Sequence, residues 1–343
     1  MRSSTVRMQR RAVSRGLAVA ALGVGAALGT RSLRAQQRAS DDTVTFKALG
    51  TPDLHGVTAA AVERLARGLE QTSQGRIKIA VEPDAADTRA VIEGLRGGEA
   101  TLGWVRLAEI ADLVPEVAAL TVPFLFRDPQ KALEILDAAS LGPLLNDQVR
   151  KQGLEPLGYL NVGALRLAGA APPTLGSLAG QRIAARPGAL REVAFKALGL
   201  ELVPGGAPAA GQDGATSLAE LRTDDLAAAG GGQGAPRAVA QAPHAHDLVL
   251  FCANRERFEA LALTPDVLEM LRTRAQEMAV WQRGGTAQVD AAALATLRQQ
   301  GAQVAPLPEE ELAQAHERVK TAVAQALSGA EPSIVRTVLA YAD

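Results

Sequence analysis

Between residues 43 and 105, hydrophobic and polar positions follow two patterns in turn, one with the period of a strand and one with the spacing of a helix. Residues Thr43–Ala48 alternate with the period of two that is typical of a half-buried strand. Val57–Glu70 carries apolar residues at helical spacing, and Arg76–Val81 returns to the strand pattern. A helical stretch at Thr88–Leu95 and a short strand at Thr101–Val105 follow. This β-α-β-α-β order predicts an α/β fold with a largely parallel sheet.

A second set of alternating segments follows further along the chain. The predicted helix of this set is Leu190–Leu198, and its predicted strands are Leu154–Leu160, Ala164–Ala168, Arg182–Arg186, Leu200–Val203 and Asp247–Ala253. From Thr264 to the C-terminus the pattern is mostly helical, with predicted interruptions at Gly284-Gly285 and at Gly301. Two α/β segments followed by a helical tail predict two lobes with a hinge between them.

The first 35 residues have the features of an export signal. A stretch containing Arg10-Arg11 precedes the apolar run Gly16–Gly29, and Leu33-Arg34-Ala35 provides a cleavage site. The run is shorter than the roughly 20 apolar residues of a membrane span. An uncleaved N-terminal anchor is the alternative. The arginine pair resembles a twin-arginine signal, although an ordinary basic region has the same appearance.

The distribution of charge along the chain limits which kinds of molecule the protein is expected to bind. Seven arginines and no acidic residue lie in residues 1–35, so loss of this segment would change the formal net charge from −1 to −8. A protein this acidic is a poor candidate for binding nucleic acid through bulk charge, and a bound anion would require local cationic groups. The single cysteine, Cys252, lies in an apolar run and is predicted to pack in the core.

An ordered set of short motifs carries a family resemblance. The segments Gly75–Ile79, Leu113–Glu116 and Leu120–Asp128, which reads Leu-Thr-Val-Pro-Phe-Leu-Phe-Arg-Asp, resemble the DctP-type substrate-binding proteins of tripartite ATP-independent periplasmic (TRAP) transporters. The resemblance continues through Leu178–Ile183, Phe195–Gly199, His244, Arg257–Leu261, Leu268–Arg283 and Leu297–Val304. These motifs follow in order over essentially the whole chain after residue 42.

The resemblance implies a fold, a function and a partner. The implied fold is α/β, a two-lobed periplasmic binding protein (type II-like) with a hinge and a long lobe-spanning helix. The implied function is capture of a small organic anion, a carboxylate, by lobe closure in the periplasm. The anion is then passed to the integral membrane permease of a TRAP transporter, without a cofactor. The expected division of the chain is a signal peptide at 1–35, a linker at 36–42, lobe I at 43–162 with about 247–285, lobe II at 163–246 with about 286–335, and a tail at 336–343.

Arginine is the side chain expected to hold a carboxylate, because its planar fork makes two parallel hydrogen bonds and stays charged when partly buried. Arg166, in Gly163-Ala-Leu-Arg166, matches the arginine of the family's Gly-Phe-Arg segment. A solvated strand arginine is the alternative. The family's most characteristic anchor falls at Ala184, which has no donor. Arg186 lies on the same strand face as residue 184 if the strand continues, and is otherwise a loop residue before Pro187.

Four further residues are candidates for ligand contact. His55 precedes a predicted helix, close to where the family often has a histidine facing the cleft, although it can equally cap that helix. Trp104 ends a strand and would form either a pocket wall or part of the core. Tyr159 and Asn161 end the strand that leads to Arg166 and are candidate polar contacts.

Two other functional classes compete with transport. The sequence His244-Ala-His246-Asp247 places two imidazoles on one face of a strand, as in metal-dependent hydrolases, although a metal site requires further ligands. A ligand-sensing protein that presents its closed form to a membrane receptor would share the same fold and pocket. The sequence contains no Gly-x-Ser-x-Gly motif of a serine hydrolase.

Overall fold

The structure is a computed structural model, and it describes residues 43–51, 56–171, 174, 178–203, 218–229, 237–260 and 265–343. The predicted export signal and His55 lie outside these residues. In the part of the chain that is described, no helix combines the length and the apolar character needed to cross a bilayer. The described residues divide into two compact units, one of residues 43–45 and 67–78 and one of the described residues within 46–66 and 79–343.

Ten strands form one mixed sheet in the described residues. The strands are β1 (Val44–Leu49), β2 (Ile77–Glu82), β3 (Leu102–Arg106), β4 (Leu154–Gly169), β5 (Arg182–Ala184), β6 (Glu201–Val203), β7 (Leu218–Arg222), β8 (Ala238–Ala240), β9 (Ala245–Asn254) and β10 (Gln303–Ala305). Their main order is β2-β1-β3-β9-β4-β7-β5-β6, and β8 pairs with both β4 and β10.

The predicted parallel pairing holds on either side of two long strands. β1 is parallel to β3, and β5 is parallel to β6 and β7. β4 and β9 instead run antiparallel to each other and to their neighbours β7 and β3. The segments Leu154–Leu160 and Ala164–Ala168, predicted as separate strands, are parts of the continuous β4.

Eleven α-helices are present in the described residues. They are α1 (Val57–Thr72), α2 (Thr88–Arg96), α3 (Pro115–Ala118), α4 (Gln130–Asp137), α5 (Gly142–Lys151), α6 (Ala189–Ala197), α7 (Thr223–Ala228), α8 (Arg255–Ala260), α9 (Pro265–Gln299), α10 (Glu309–Ala326) and α11 (Pro332–Tyr341). Local signals explain some boundaries. Asp87 caps α2, where its side chain accepts a hydrogen bond from the Ala90 N–H at 2.8 Å.

The long helix α9 corrects one prediction. It runs without a break through Gly284-Gly285, where the sequence predicted an interruption. A Cβ atom at residue 285 would lie 2.8 Å from Cγ1 of Val57, so this glycine allows α1 to approach α9 closely. The predicted break at Gly301 is confirmed, because the helix ends at Gln299 and Gly301 has a φ of +87°. α9 packs against β4 and α7.

Candidate functional site

The register between β4 and β9 defines two faces of the sheet. Gly163 lies opposite Asp247, Ala164 opposite His246, and Leu165 opposite Ala245. Residues directly opposite each other in an antiparallel pair share a face, and successive residues of a strand alternate between faces. Asp247 and His246 therefore point to opposite sides of the sheet, which we call the Asp247 face and the His246 face.

On the Asp247 face, two arginines from different strands converge on one carboxylate. Arg106 is the last residue of β3, and its Nη1 donates a hydrogen bond to Oδ2 of the buried Asp247. Arg186 follows β5 by two residues, and its Nε lies 3.8 Å from the same oxygen. The carboxyl ends of the parallel strands of α/β sheets are where ligands bind in such folds.

Charge determines the state of Asp247. Its burial acts to raise the pKa, but Arg106, Arg186 and Arg222 act in the opposite direction and hold the pKa below its ordinary value. Asp247 is therefore an ionised carboxylate at neutral pH. Glu109, nearby, has its pKa raised because burial outweighs a hydrogen bond from Thr88 and the charge of Arg106.

Arg222 adds a third guanidinium on the same face. It ends β7 and lies opposite Leu165 in the β4–β7 register. A Cβ atom at Gly163 would lie 3.0 Å from Cδ of Arg222, so the glycine provides the space in which this side chain packs. Nε and Nη2 of Arg222 donate to the two carboxylate oxygens of Asp225 at 2.9 and 2.8 Å. This bidentate geometry orients the guanidinium.

A buried network of hydrogen bonds beside these groups holds α6, β7 and the start of β9 together. Arg191 on α6 donates to the carbonyl oxygen of Thr121 at 2.9 Å and to Glu220, and burial lowers its pKa to about 10. His244 Nε2 lies 2.7 Å from the other oxygen of Glu220, and the ring stacks on Phe124. Burial and then the charge of Arg191 keep the pKa of His244 well below its ordinary value, so this imidazole is neutral and donates from Nε2.

Arg166 lies on the His246 face, and each of its nitrogens holds a bond. Nε donates to Thr223 Oγ1 at 2.8 Å, Nη1 donates to the carbonyl oxygen of Gln241, and Nη2 pairs with Asp290 of α9 at 2.7 Å. In a Gly-Phe-Arg segment the arginine comes two residues after the glycine, and the residue two after Gly163 is Leu165. Since Leu165 and Arg166 are successive strand residues, the position on the Asp247 face is held by leucine.

The other predicted contact residues lie in different surroundings. Asn161 Nδ2 lies 3.2 Å from His246 Nδ1 on the His246 face. The Tyr159 hydroxyl donates to Asn146 Oδ1 at 2.8 Å, and burial raises its pKa. Trp104 is buried and stacks on Phe251 with ring centroids 5.0 Å apart, so its surroundings are those of a core residue.

The residues of the proposed strand continuation also have defined places. Ala184 ends β5 and is fully buried, so the family's anchor position holds a buried methyl group. The strand does not continue to Arg186, which precedes Pro187 in an irregular segment. Arg186 nevertheless reaches Asp247, and its side chain is 29% exposed. Arg106 and Arg222 were not identified from sequence, since no local motif marks a strand-ending arginine as part of a cluster.

The two histidines of His244-Ala-His246 do not share ligands. His244 precedes β9 and contacts Glu220, whereas His246 contacts Asn161 and Gln130. Within the described ranges, the set of three or more ligating side chains with neighbouring donor atoms is His316, Glu317 and Asp343. There Lys320 Nζ lies 2.5 Å from Asp343 Oδ1, so an ammonium group already occupies this carboxylate.

Comparison with known sequences adds to this geometry. The sequence model of the DctP family, described as bacterial extracellular solute-binding protein, family 7, matches residues 50–204. The 2,3-diketo-L-gulonate-binding periplasmic protein of Escherichia coli (strain K12) is 27% identical over 284 residues, which are 80% of this chain and 82% of that protein.

Solved structures share the fold. A TRAP periplasmic solute-binding protein of Ochrobactrum anthropi has a TM-score of 0.77 at 20% identity, with 88% of this chain and 95% of that chain covered. The sugar acid binding protein of Advenella mimigardefordensis strain DPN7T, in complex with galactonate, has a TM-score of 0.74 at 21% identity, with 88% and 98% covered. A TRAP periplasmic solute-binding protein of Roseobacter denitrificans with bound β-D-glucuronate has a TM-score of 0.73 at 21% identity, with 87% and 99% covered. The predicted fold class, the two-lobed α/β binding protein, is thereby confirmed.

Proposed function

Because this chain belongs to the DctP family of bacterial extracellular solute-binding proteins, we propose that it captures a small organic anion on the Asp247 face of its sheet. The observation that carries the proposal is the convergence of Arg106 and Arg186 on the buried carboxylate of Asp247. The guanidinium of Arg222, which pairs with Asp225, is near enough for its charge to lower the pKa of Asp247. A bound carboxylate would receive hydrogen bonds from these guanidinium groups, above all from the partly exposed Arg186.

The arrangement compensates for two missing donors. Arg166, the expected match to the family's Gly-Phe-Arg arginine, is engaged by three partners on the His246 face, and Ala184, at the expected anchor position, has no donor. Arg222 lies directly across from Leu165 on the neighbouring strand, and Arg186 follows Ala184 by two residues. We therefore assign the anion-binding role of the lost positions to Arg222 and Arg186, with Arg106 as the third cation.

A sugar acid is the first ligand class to test. Proteins of the same fold bind galactonate, galacturonate and glucuronate, and the Escherichia coli relative binds 2,3-diketo-L-gulonate. A charge-assisted hydrogen bond contributes about 1.5–3 kcal/mol net. About three such bonds are therefore sufficient for a large part of the about 8 kcal/mol that micromolar affinity requires. Local arginines supply this attraction, while the bulk charge of the chain without residues 1–35 is negative.

The proposed role extends to location and partner. The basic and apolar leader at residues 1–35 directs export, and the Escherichia coli relative is periplasmic. After lobe closure between the proposed lobe I (43–162 with about 247–285) and lobe II (163–246 with about 286–335), the anion passes to the membrane permease of a TRAP-type transporter. The family consists of solute-binding proteins, and the proposed function includes no catalytic step.

Calorimetry of the purified protein tests the proposed site. D-galacturonate, D-glucuronate, D-galactonate and 2,3-diketo-L-gulonate are titrated into the protein and into Arg186→Ala. We expect Arg186→Ala to weaken binding of the preferred acid at least about tenfold, because one charge-assisted bond exceeds the 1.4 kcal/mol of a tenfold change. Arg89→Ala is the matched control, since Arg89 is an exposed arginine of α2 that pairs with Asp112. It should bind with unchanged affinity.

Three results would contradict the proposal. Equal affinity of Arg186→Ala and Arg89→Ala for the acid would remove Arg186 from the site. Equal binding of the uncharged sugar D-galactose would show that charge does not select the ligand. A loss of acid binding in Arg166→Gln without a loss in Arg186→Ala would instead place the anion on the His246 face.

A further inference from the structure

A cavity of about 400 Å³ opens on the His246 face, lined by residues of α4, β4 and α9. Its floor contains three polar side chains that are more than nine-tenths buried, those of Asn161, Arg166 and His246. Its rim contains exposed residues, among them Gln130 and Ala287. An open rim over a buried polar floor, at a volume within the about 300–1,000 Å³ of small-molecule sites, is the arrangement of a binding pocket.

The tautomer of His246 follows from its neighbours. The Gly163 N–H donates to Asn161 Oδ1 at 3.1 Å, which fixes the side-chain amide. Asn161 Nδ2 therefore donates to His246 Nδ1 at 3.2 Å. Burial lowers the pKa of His246 to about 4, so the neutral ring carries its proton on Nε2. The Gln130 atom nearest to this N–H is the amide nitrogen Nε2, 3.1 Å away at the rim, so the exposed Gln130 amide accepts from His246 only when it is turned to present Oε1.

The charges of the cavity are balanced. Arg166 pairs with Asp290 at 2.7 Å, Arg283 pairs with Asp137 at 2.8 Å, and Lys131 pairs with Glu134 at the rim. A ligand without net charge is therefore preferred to an anion, which would find both arginines engaged and the imidazole neutral. One acceptor is unmet, because Oδ1 of Asp290 is buried without a hydrogen-bond partner among the described residues. The terminal torsion of an aspartate is soft, so this oxygen can turn toward a donor.

We propose that this cavity is a second binding site, which takes a small zwitterion of the amino-acid class. The ammonium group of the ligand donates to Asp290, which supplies the unmet carboxylate oxygen. The carboxylate of the ligand accepts from His246 Nε2–H and from Arg283, whose partner Asp137 is 61% exposed and can be solvated instead. Charge-assisted hydrogen bonds of this kind are stronger than those a neutral polyol would make.

This site is separate from the proposed anion site. His246 and Asp247 are successive residues of β9 and point to opposite faces. Arg106 and Arg186 contact Asp247, whereas Arg166 and Arg283 line the cavity. Occupation of one site therefore does not use the donors of the other, and the two proposals fail independently.

A blocking variant tests the site without disturbing its polar groups. Ala287 and Ala291 are both exposed alanines of α9, and Ala287 is the one that lines the cavity. The purified protein, Ala287→Phe and Ala291→Phe are titrated by calorimetry with each of the twenty L-amino acids, up to about 10 mM. We expect at least one amino acid to bind. Ala287→Phe should weaken it at least tenfold, and Ala291→Phe should leave it unchanged. Asp290→Asn should also weaken it at least tenfold.

Each other outcome overturns the inference. If none of the amino acids gives a heat of binding, the zwitterion assignment is wrong. Unchanged binding by Ala287→Phe would place the amino acid elsewhere, and equal binding of glycerol would assign the cavity to neutral polyols. D-galacturonate titrated into Ala287→Phe separates the two proposals, because its affinity should equal that of the unaltered protein. Amino-acid binding in Arg186→Ala should likewise remain unchanged, whether or not any sugar acid binds.

Discussion

The two faces of the β4–β9 pair carry opposite electrostatic designs, although they are built from neighbouring residues. On the Asp247 face, Arg106 and Arg186 share the one buried carboxylate of Asp247, whereas Arg222 has its own partner in Asp225. On the His246 face, each arginine is matched by a carboxylate and the imidazole is neutral. An arginine therefore indicates an anion site only where the surrounding carboxylates leave positive charge in excess.

The largest expected effect is on the Asp247 face. Asp247→Asn removes the carboxylate that pairs with the buried Arg106, and loss of one member of a buried pair costs about 3–5 kcal/mol. Urea denaturation should show this decrease in the free energy of unfolding. The double variant Arg106→Met/Asp247→Leu removes both charges and should recover most of the loss. A decrease below about 1 kcal/mol in Asp247→Asn would show that other groups neutralise Arg106.

The next largest expected effect is a pH dependence of stability that comes from the His246 face. His246 has a pKa of about 4 in the folded protein, below the ordinary 6.5 of an unfolded chain. Between these values the unfolded chain binds a proton that the folded protein does not, so stability is full above pH 6.5 and falls as the pH approaches 4. We expect His246 to account for a loss of about 2 kcal/mol between pH 7 and pH 5. Ionised Asp247 also contributes stability that is lost on acidification, but this loss occurs below pH 3.8, because the pKa of Asp247 is held below that value.

Denaturation at the two pH values measures this contribution as a difference. The buried His244, with its lowered pKa, acts in the same direction in both proteins. His246→Gln should therefore lose less stability between pH 7 and pH 5 than the unaltered protein. Equal losses would mean that His246 is protonated in the folded state at pH 5.

The smallest expected effect is a change in acid affinity when one methyl group is added on the Asp247 face or removed on the His246 face. In Gly163→Ala the new Cβ lies 3.0 Å from Cδ of Arg222, so the guanidinium must shift by a few tenths of an ångström. If Arg222 holds the anion, affinity for the preferred sugar acid should fall about threefold, or about 0.6 kcal/mol. Calorimetry of Ala164→Gly, the adjacent change on the His246 face, should show unchanged acid affinity. A similar decrease in both variants would indicate a general effect on β4.

Much of the local structure follows from sequence patterns, and the exceptions have physical causes. The predicted strands at the start of the chain and the helix Leu190–Leu198 agree with β1, β2, β3 and α6 within two residues. The expected break at Gly284-Gly285 is absent because close packing against Val57, not chain flexibility, is what Gly285 provides. No local pattern could reveal this, since Val57 lies more than 200 residues away in the sequence.

The site was harder to predict because a strand's faces depend on its partner. Asn161 and Arg166 are five residues apart and would lie on opposite faces of a regular strand. The register with β9 shifts between Asn161 and Gly163, and this irregularity brings both side chains to the same cavity. The sequence by itself therefore determined the order of helices and strands, the leader and the family resemblance, because these depend on local periodicity and motifs. Only the tertiary structure decided which arginines share a face, because a shift of one residue moves a strand side chain to the other side of the sheet.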